Sequence, residues 1–384
     1  MALLRLESRK PGWILALVVC ALVFLTSCII SYTSKEPQCA PLPEEKDAPL
    51  ASGTVWVWGR DRDLSKREKG NYPVKYLCTP VRITGLDRVT AIAAGAVDSF
   101  ALKDDGTVWE WDGTSTDYSQ PKQVSGLSRV VAIAAGDWHT LALRYDGTVW
   151  AWGSNSSGKL GYQGPSRDFA APVAGLADVV AIAAGENHSM ALRKDGTALT
   201  WGWSWTRYGL GVPKLLELGT FETDPVPKQV HGLESIVSIL ACSRDSLALK
   251  SDGTVWVWGV NYGGSLGDGT KEDRRTPVPV KNISSIVAIS CNLALKADGT
   301  VWSWGIVPEQ VAGLSDTTAI ARGYDHSLAL KSDGTVWAGG FNEDGQIGNG
   351  TLAALPTFIR PTQVRRLAGV RAIAAGWYHS MALQ

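Results

Sequence analysis

One stretch constrains what this chain can fold into: Asp146-Gly147-Thr148-Val149-Trp150-Ala151-Trp152-Gly153, with near-copies starting at Ser52, Asp105, Asp195, Asp252, Asp298 and Asp333. Asp-Gly is a hairpin-turn pair, expected here to supply positive φ angles. Thr-Val-Trp-x-Trp then alternates β-branched and aromatic residues with the period of a strand. Both tryptophans of a copy project from one face, toward a neighbouring sheet. A unit repeated in this way cannot bury its apolar face alone and must stack with its copies. A second signature travels with the first, best seen at Val130-Val131-Ala132-Ile133-Ala134-Ala135-Gly136-Asp137-Trp138-His139. It reads as strand, glycine turn, strand, its Ala and Gly suited to a crowded position near an axis. A short outer strand, as at Pro121–Leu127, completes four antiparallel strands in about 48 residues, the size of one propeller blade.

The fold expected is all-β: a seven-bladed β-propeller of four-stranded antiparallel blades over residues 52–384. The Trp strand from Ser52 has no strands before it, and the segment ending at Gln384 has no Trp strand after it. Joined, they make one blade and close the ring without a free edge. Counting from that blade, the second (87–127) and sixth (284–314) are short. Long excursions stand at Arg60–Pro80 in the first and Trp203–Pro227 in the fourth.

Acidic and basic side chains number 37 each, for a net charge of zero. The chain therefore has no electrostatic footprint for nucleic acid and no polybasic membrane patch. Residues 1–27 read as an export leader: Arg5, Arg9 and Lys10, the apolar run Trp13–Leu25, then Leu25-Thr26-Ser27-Cys28. That ending resembles a bacterial lipobox, which makes Cys28 the lipid attachment site and residues 28–51 a lipidated, Pro/Glu-rich linker. The alternative is an uncleaved membrane anchor from Trp13 to Tyr32. Both place the body outside the cytoplasm, in a bacterial cell envelope.

Four cysteines then remain, in an oxidising compartment. Cys242 holds a glycine-turn position and Cys291 the equivalent strand of the next blade, so a disulfide between them is expected, with buried free thiols as the alternative. Cys39–Cys78 would staple the linker to the first blade. His139, His188, His326 and His379 occupy one slot in four blades, and Asp98 and Asp245 occupy it in two others. Metal-ligand spacings are absent, so each histidine is expected to bond a backbone group of its own blade and hold the glycine turn. The repeated tryptophans are assigned to packing between blades; Trp138 and Trp377, in the glycine-turn slot, read as isolated. No nucleophile elbow, zinc motif or phosphate loop is present. The expectation is no enzyme, no cofactor and no metal.

Trp152-Gly153-Ser154-Asn155-Ser156-Ser157-Gly158-Lys159-Leu160-Gly161 resembles the signature of the regulator-of-chromosome-condensation repeat family, as do Trp258–Gly267 and, more weakly, Gly339–Gly348. The resemblance covers 52–384 and implies the propeller. It does not imply one chemistry, since the family includes a nuclear guanine-nucleotide exchange factor that also binds chromatin, a plant ultraviolet photoreceptor and a secreted bacterial β-lactamase inhibitor. The reading adopted is a monomeric, lipid-anchored propeller whose loops bind a protein partner, such as an envelope or surface enzyme that it inhibits or scaffolds. Candidate contacts are Arg62, Lys66 and Arg67 in the first excursion and Trp203, Trp205, Arg207 and Tyr208 in the second. The second excursion could equally cover its own blade. Two further readings stand: guanine-nucleotide exchange on a small GTPase, for which Arg60–Pro80 is the only candidate wedge although it lacks a clear hairpin pattern, and carbohydrate binding through Trp203 and Trp205.

Overall fold

Seven four-stranded antiparallel sheets make up the computed structural model, which describes residues 38–40, 53–62, 74–112, 120–203, 223–353 and 358–384. The leader, Cys28 and most of the linker lie outside these. The chain divides into two units, Met1–Gln38 and Cys39–Gln384, and the ring is the second. Blade 3 shows the plan: Val130–Ala135 innermost, then His139–Arg144, Val149–Gly153 and Arg167–Pro172, hydrogen-bonded in that order. Blade 1 is composite. Ala372–Ala375 and His379–Leu383 supply its inner half, Val55–Arg62 and Val74–Arg82 its outer half, with Val55 opposite Leu383 and Gly59 opposite His379. The ring closes as the repeat pattern requires.

Strand register gives the ring two different faces. In blade 3, His139 pairs with Gly153 and Leu143 with Val149. The glycine turn before His139 and the loop after Gly153 therefore leave one end of the blade, and the Asp146-Gly147 turn leaves the other. We refer to the glycine-turn face and the Asp-Gly face.

The Asp-Gly face is uniform. In blade 2, Lys103 N–H donates to Thr107 O and Gly106 N–H to Lys103 O, both at 3.0 Å. Only the glycine takes a positive φ, 76° at Gly106 and 77° at Gly147. The aspartate instead supplies an acceptor: Asp105 Oδ1 receives the Thr107 N–H at 2.9 Å and the Thr107 hydroxyl at 2.6 Å. The expectation that both residues adopt positive φ is corrected accordingly, because the loop is a three-residue turn ending in one left-handed position. The turn also joins blades, since Gly106 O accepts the Val130 N–H and Gly147 O the Val179 N–H. A Cβ on Gly106 would lie 2.9 Å from Arg129 Cα. Glycine is thus required by conformation and by space.

Tryptophans of the repeated strand fall into two groups. The second of each pair is sealed between blades, with Trp58 and Trp258 each 1% exposed and Trp201, at the same strand position in blade 4, 0% exposed. In blades 2, 6 and 7 the first of the pair is half-buried under a cation from the neighbouring strand: Lys103 over Trp109 at 4.6 Å, Lys296 over Trp302 at 4.2 Å, Lys331 over Trp337 at 4.6 Å; in blade 1 the counterpart, Trp56, is buried and donates to Gln384 Oε1 at 2.9 Å.

The histidines clamp blades together. His139 Nε2 lies 2.7 Å from Ser189 Oγ, His188 Nε2 2.9 Å from Ser246 Oγ, His326 Nε2 2.7 Å from Ser380 Oγ and His379 Nε2 3.0 Å from Ser99 Oγ. In each case the serine belongs to the next blade. The expected bond to the histidine's own backbone is not made, because the ring lies against the glycine of its turn and aims Nε2 outward across the junction. A Cβ on Gly136 would meet His139 Cε1 at 2.7 Å. The junction between blades 5 and 6 lacks this clamp, since Asp245 stands in the histidine slot of blade 5. There Cys242–Cys291 forms a disulfide, as expected for adjacent blades, and Cys39–Cys78 forms the other.

Candidate functional site

The glycine-turn face is where the blades differ. In blades 3, 5 and 7 the loop after the Trp strand folds on an asparagine: Asn155 Oδ1 accepts the Leu160 N–H and Asn155 Nδ2 donates to Tyr162 O and Gly164 O. Asn261 and Asn342 repeat the Oδ1 bond with Leu266 and Ile347. Leu160, Leu266 and Ile347, all 0% exposed, plug the junction to the next blade. The residue before each plug turns its carbonyl onto that blade's buried tryptophan: Lys159 O to Trp201, Ser265 O to Trp304, Gln346 O to Trp58. Those loops are structural.

Among the described residues, this face also carries an aromatic ridge beside the axis. Trp138 is 50% exposed and Tyr324 54%. Trp377 of blade 1 meets Trp138 of blade 3 edge to face at 6.1 Å, and Tyr324 of blade 7 approaches Trp377 at 5.2 Å. Trp377 Nε1 donates to Asp137 Oδ1 at 2.9 Å, which holds the ridge in place. Trp138 and Trp377 are therefore not isolated. Blade 2, between them, offers only Gly95-Ala96-Val97 in its turn, and the missing bulk lets nonadjacent blades touch. Sequence reading missed the ridge because contact between blades 1 and 3 depends on what blade 2 lacks.

The first excursion borders the ridge, since Arg60 stacks on Tyr378 at 5.1 Å and pairs with Asp344 at 3.5 Å. Its form corrects the sequence reading. Beyond Gly59, Arg60 pairs with Tyr76, Asp61 with Lys75 and Arg62 with Val74, so the two strands continue past the blade as a β-ribbon. In the sequence the charged run Arg60-Asp61-Arg62-Asp63 hides the strand. Cys39–Cys78 and the Ala40 N–H to Tyr76 O bond pin the linker to the ribbon's outer strand. Of the sequence candidates, Arg62 ends one strand of the ribbon and Trp203 ends the Trp strand of blade 4. Lys66, Arg67, Trp205, Arg207 and Tyr208 lie outside the described residues.

Acidic groups gather on the same face. Between blades 2 and 3 a cavity of about 370 Å³ is lined by Asp98, Glu110, Asp112, Asp168, Lys122 and Trp138, among others. Burial, then the charges of Asp112 and Glu110, pushes Asp98 up to about 6. Burial likewise raises Asp137 to about 6 and Asp245 to about 7. Carboxylates held near neutrality mark candidate functional surfaces. Among the described residues, no group of three His, Cys, Asp or Glu is placed to hold a metal.

Profiles of the "Regulator of chromosome condensation (RCC1) repeat" match residues 112–143, 146–192, 252–291 and 333–383 in one form and 130–159, 179–209 and 318–346 in another. The chain is 30% identical over 185 residues to the human E3 ubiquitin-protein ligase HERC2, a match covering 41% of this chain and 4% of that protein. It is 27% identical over 209 residues to the ultraviolet-B receptor UVR8 of Arabidopsis thaliana, covering 47% of this chain and 46% of the receptor. The chain thus spans a small part of the first relative and about half of the second. Among solved structures, Prp20p of Saccharomyces cerevisiae, described with its binding to Gsp1p and histones, superimposes with a TM-score of 0.72 at 21% identity, covering 87% of this chain and 92% of that one. Human WBSCR16 gives 0.70 at 20% identity, covering 86% and 98%. These two likenesses are of fold.

Proposed function

This chain belongs to the regulator of chromosome condensation repeat family, and on that premise we propose that it is a protein-binding propeller, held outside the cytoplasm by a lipid on Cys28. The observation that carries the reading is the ridge of Trp138, Trp377 and Tyr324, an exposed aromatic cluster on a rigid ring. Exposed aromatics of this kind anchor interfaces, and a preformed surface lowers the ordering cost of binding. Prp20p, which shares the fold, is described as binding Gsp1p and histones. Among the described residues the Asp-Gly face carries no aromatic cluster of this kind, which favours binding through the other. The test is affinity capture from envelope extract with residues 39–384, which retain the Cys39–Cys78 disulfide. A specific protein recovered by this body and lost with Trp138→Ala/Trp377→Ala supports the reading; recovery unaffected by the pair sinks the ridge as the site.

One observation favours a second reading. The ribbon of Val55–Arg62 and Val74–Arg82 continues three residues past Gly59, which gives the exchange reading a candidate wedge. Release of labelled nucleotide from a GTPase of the same organism, unaccelerated by the ring, would remove that reading.

A further inference from the structure

We infer that blade 6 forms a radial notch on the glycine-turn face that receives one extended segment of the protein partner. Apolar residues of that segment lie toward the rim and a carboxylate toward the axis; this rests on the partner-binding reading above. The notch follows from strand register. In the other six blades the inner hairpin has one length, as in blade 3, where Val130 pairs with Arg144. In blade 6 Ile286 pairs with Lys296, so that hairpin is four residues shorter. The outer connection is cut as well: Trp304 pairs with Pro308 across three residues, whereas Gly153 pairs with Arg167 across thirteen. Two residues lost from each strand lower the end of the blade by roughly 7 Å, room for one extended chain.

The floor is fixed before any partner arrives. Cys291 is bonded to Cys242 of blade 5, and Asn292, at φ 57°, donates from Nδ2 to Ser265 O at 3.1 Å and to Trp304 O at 3.2 Å. A preformed site of this kind adds little ordering cost. Its two ends differ in chemistry. Toward the rim the short connection carries Ile306 and Val307, 40% and 41% exposed, and Ile306 lies against Gly264 of the blade 5 loop, whose Tyr262 is 84% exposed. Toward the axis Arg322 of blade 7 is exposed, and no hydrogen bond or ion pair among the described residues takes up its guanidinium. Its charge acts on Asp325 and, across the shortened blade, on Asp245 of blade 5. Burial holds Asp245 at about 7, so at neutral pH it balances the cation only in part. A partner carboxylate would complete the balance with a charge-assisted bond. Tyr324, two residues beyond Arg322, belongs to the aromatic ridge, so the notch opens onto the surface already proposed for the partner.

The test incubates the whole chain, in detergent, with a random library of acetylated heptapeptide amides and sequences those retained. The expected result is enrichment of peptides that combine Asp or Glu with Leu, Ile, Val or Phe. Fluorescence polarisation of an enriched peptide should show binding weakened about tenfold or more by Arg322→Gln and by Ile306→Ser/Val307→Ser, and unchanged by Tyr145→Ala on the opposite face. Arg322→Glu should turn the enrichment from acidic to basic peptides, which a misfolded ring would not do. No enrichment, enrichment of basic peptides by the wild type, or unchanged binding in the notch variants overturns the inference. Captured partner separates this from the broader reading. Capture kept by Arg322→Gln and Ile306→Ser/Val307→Ser but lost by Trp138→Ala/Trp377→Ala would discard the notch and leave the module standing; peptide enrichment without any captured partner would do the reverse.

Discussion

The two faces of the ring are made by the same strands and obey different rules. On the Asp-Gly face Asp105, Asp146, Asp252, Asp298 and Asp333 each accept a backbone N–H and a hydroxyl from a threonine two residues on. Six junctions also carry a non-glycine residue at positive φ, from Arg88 through Arg129, Asp178, Ser235 and Ser285 to Asp316, and the seventh has Gly369. Such repetition gives most of this face one recurring surface, with Tyr145, 74% exposed beside Arg129, as an exception. On the glycine-turn face three loops plug junctions, one junction is bridged by sulfur, a cavity lies between blades 2 and 3, and an aromatic ridge joins blades that are not neighbours. Stability is distributed over both faces, and most of the individuality among the described residues lies on one.

That contrast can be tested by substitution. The largest effect belongs to the sealed tryptophans: Trp201→Ala, at 0% exposure with its indole on Lys159 O, is expected to cost about 3–5 kcal/mol in urea unfolding. A loss under about 1 kcal/mol would mean that the junctions are looser than their burial implies. Next, Cys242→Ala/Cys291→Ala opens a link across 49 residues and should cost about 4 kcal/mol. Because the 5–6 junction has no histidine clamp, the loss should exceed that of Cys39→Ala/Cys78→Ala; the opposite ranking would show that the clamp is not what the sulfur replaces.

Acid should act on the clamps in a predictable direction. Burial holds His188 and His379 at about 4 and His326 at about 3, against an ordinary 6.5. The unfolded chain therefore takes up those protons first. Stability that is full above pH 6.5 is lost as pH falls from there, toward 4 for His188 and His379 and toward 3 for His326, by roughly 3 kcal/mol for each of the first two and more for the third. Asp98, Asp137 and Asp245 run oppositely: raised carboxyls bind protons in the fold, so their contribution is full below about 3.8 and is lost as pH rises toward 6–7. Urea midpoints measured from pH 7.5 to 4.5 should fall more steeply for the wild type than for His188→Gln. Parallel slopes would contradict the clamp.

The smallest stability effects separate the faces most directly. Asp146→Ala removes two bonds from one exposed turn and should cost about 1 kcal/mol while partner capture is unchanged. Trp138→Ala, at a half-exposed position, should leave unfolding within about 0.5 kcal/mol of the wild type yet weaken capture tenfold or more. A reversal of those two outcomes would assign binding to the uniform face.

The ring was legible in the sequence because each blade states its strands locally. Val149, Trp150 and Trp152 set a face, Gly147 sets the turn, and copies confirm each other. The disulfides were legible because Cys242 and Cys291 fall on equivalent places in adjacent repeats. The histidine bonds were not, since His139 finds Ser189 across a junction and a single repeat contains both types of residue without saying which copies meet. The ridge was less legible still, because it depends on Ala96 and Val97 being small. The ribbon at Arg60–Arg62 escaped because Arg60-Asp61-Arg62 is charged throughout and leaves no apolar alternation to read.

The composite first blade sets a schedule for biosynthesis. Val55–Arg62, with Trp56 and Trp58, leaves the ribosome ahead of the other blades, yet its inner neighbours Ala372–Ala375 and His379–Leu383 are made after them all. Blades 2 to 7 can assemble in the order of synthesis, each onto its predecessor. Meanwhile the early strand waits with one edge unpaired and two large indoles uncovered, the kind of exposure that recruits holdases or seeds aggregation in a crowded compartment. Ring closure is thus a late, long-range event whose rate governs how long each new molecule remains vulnerable.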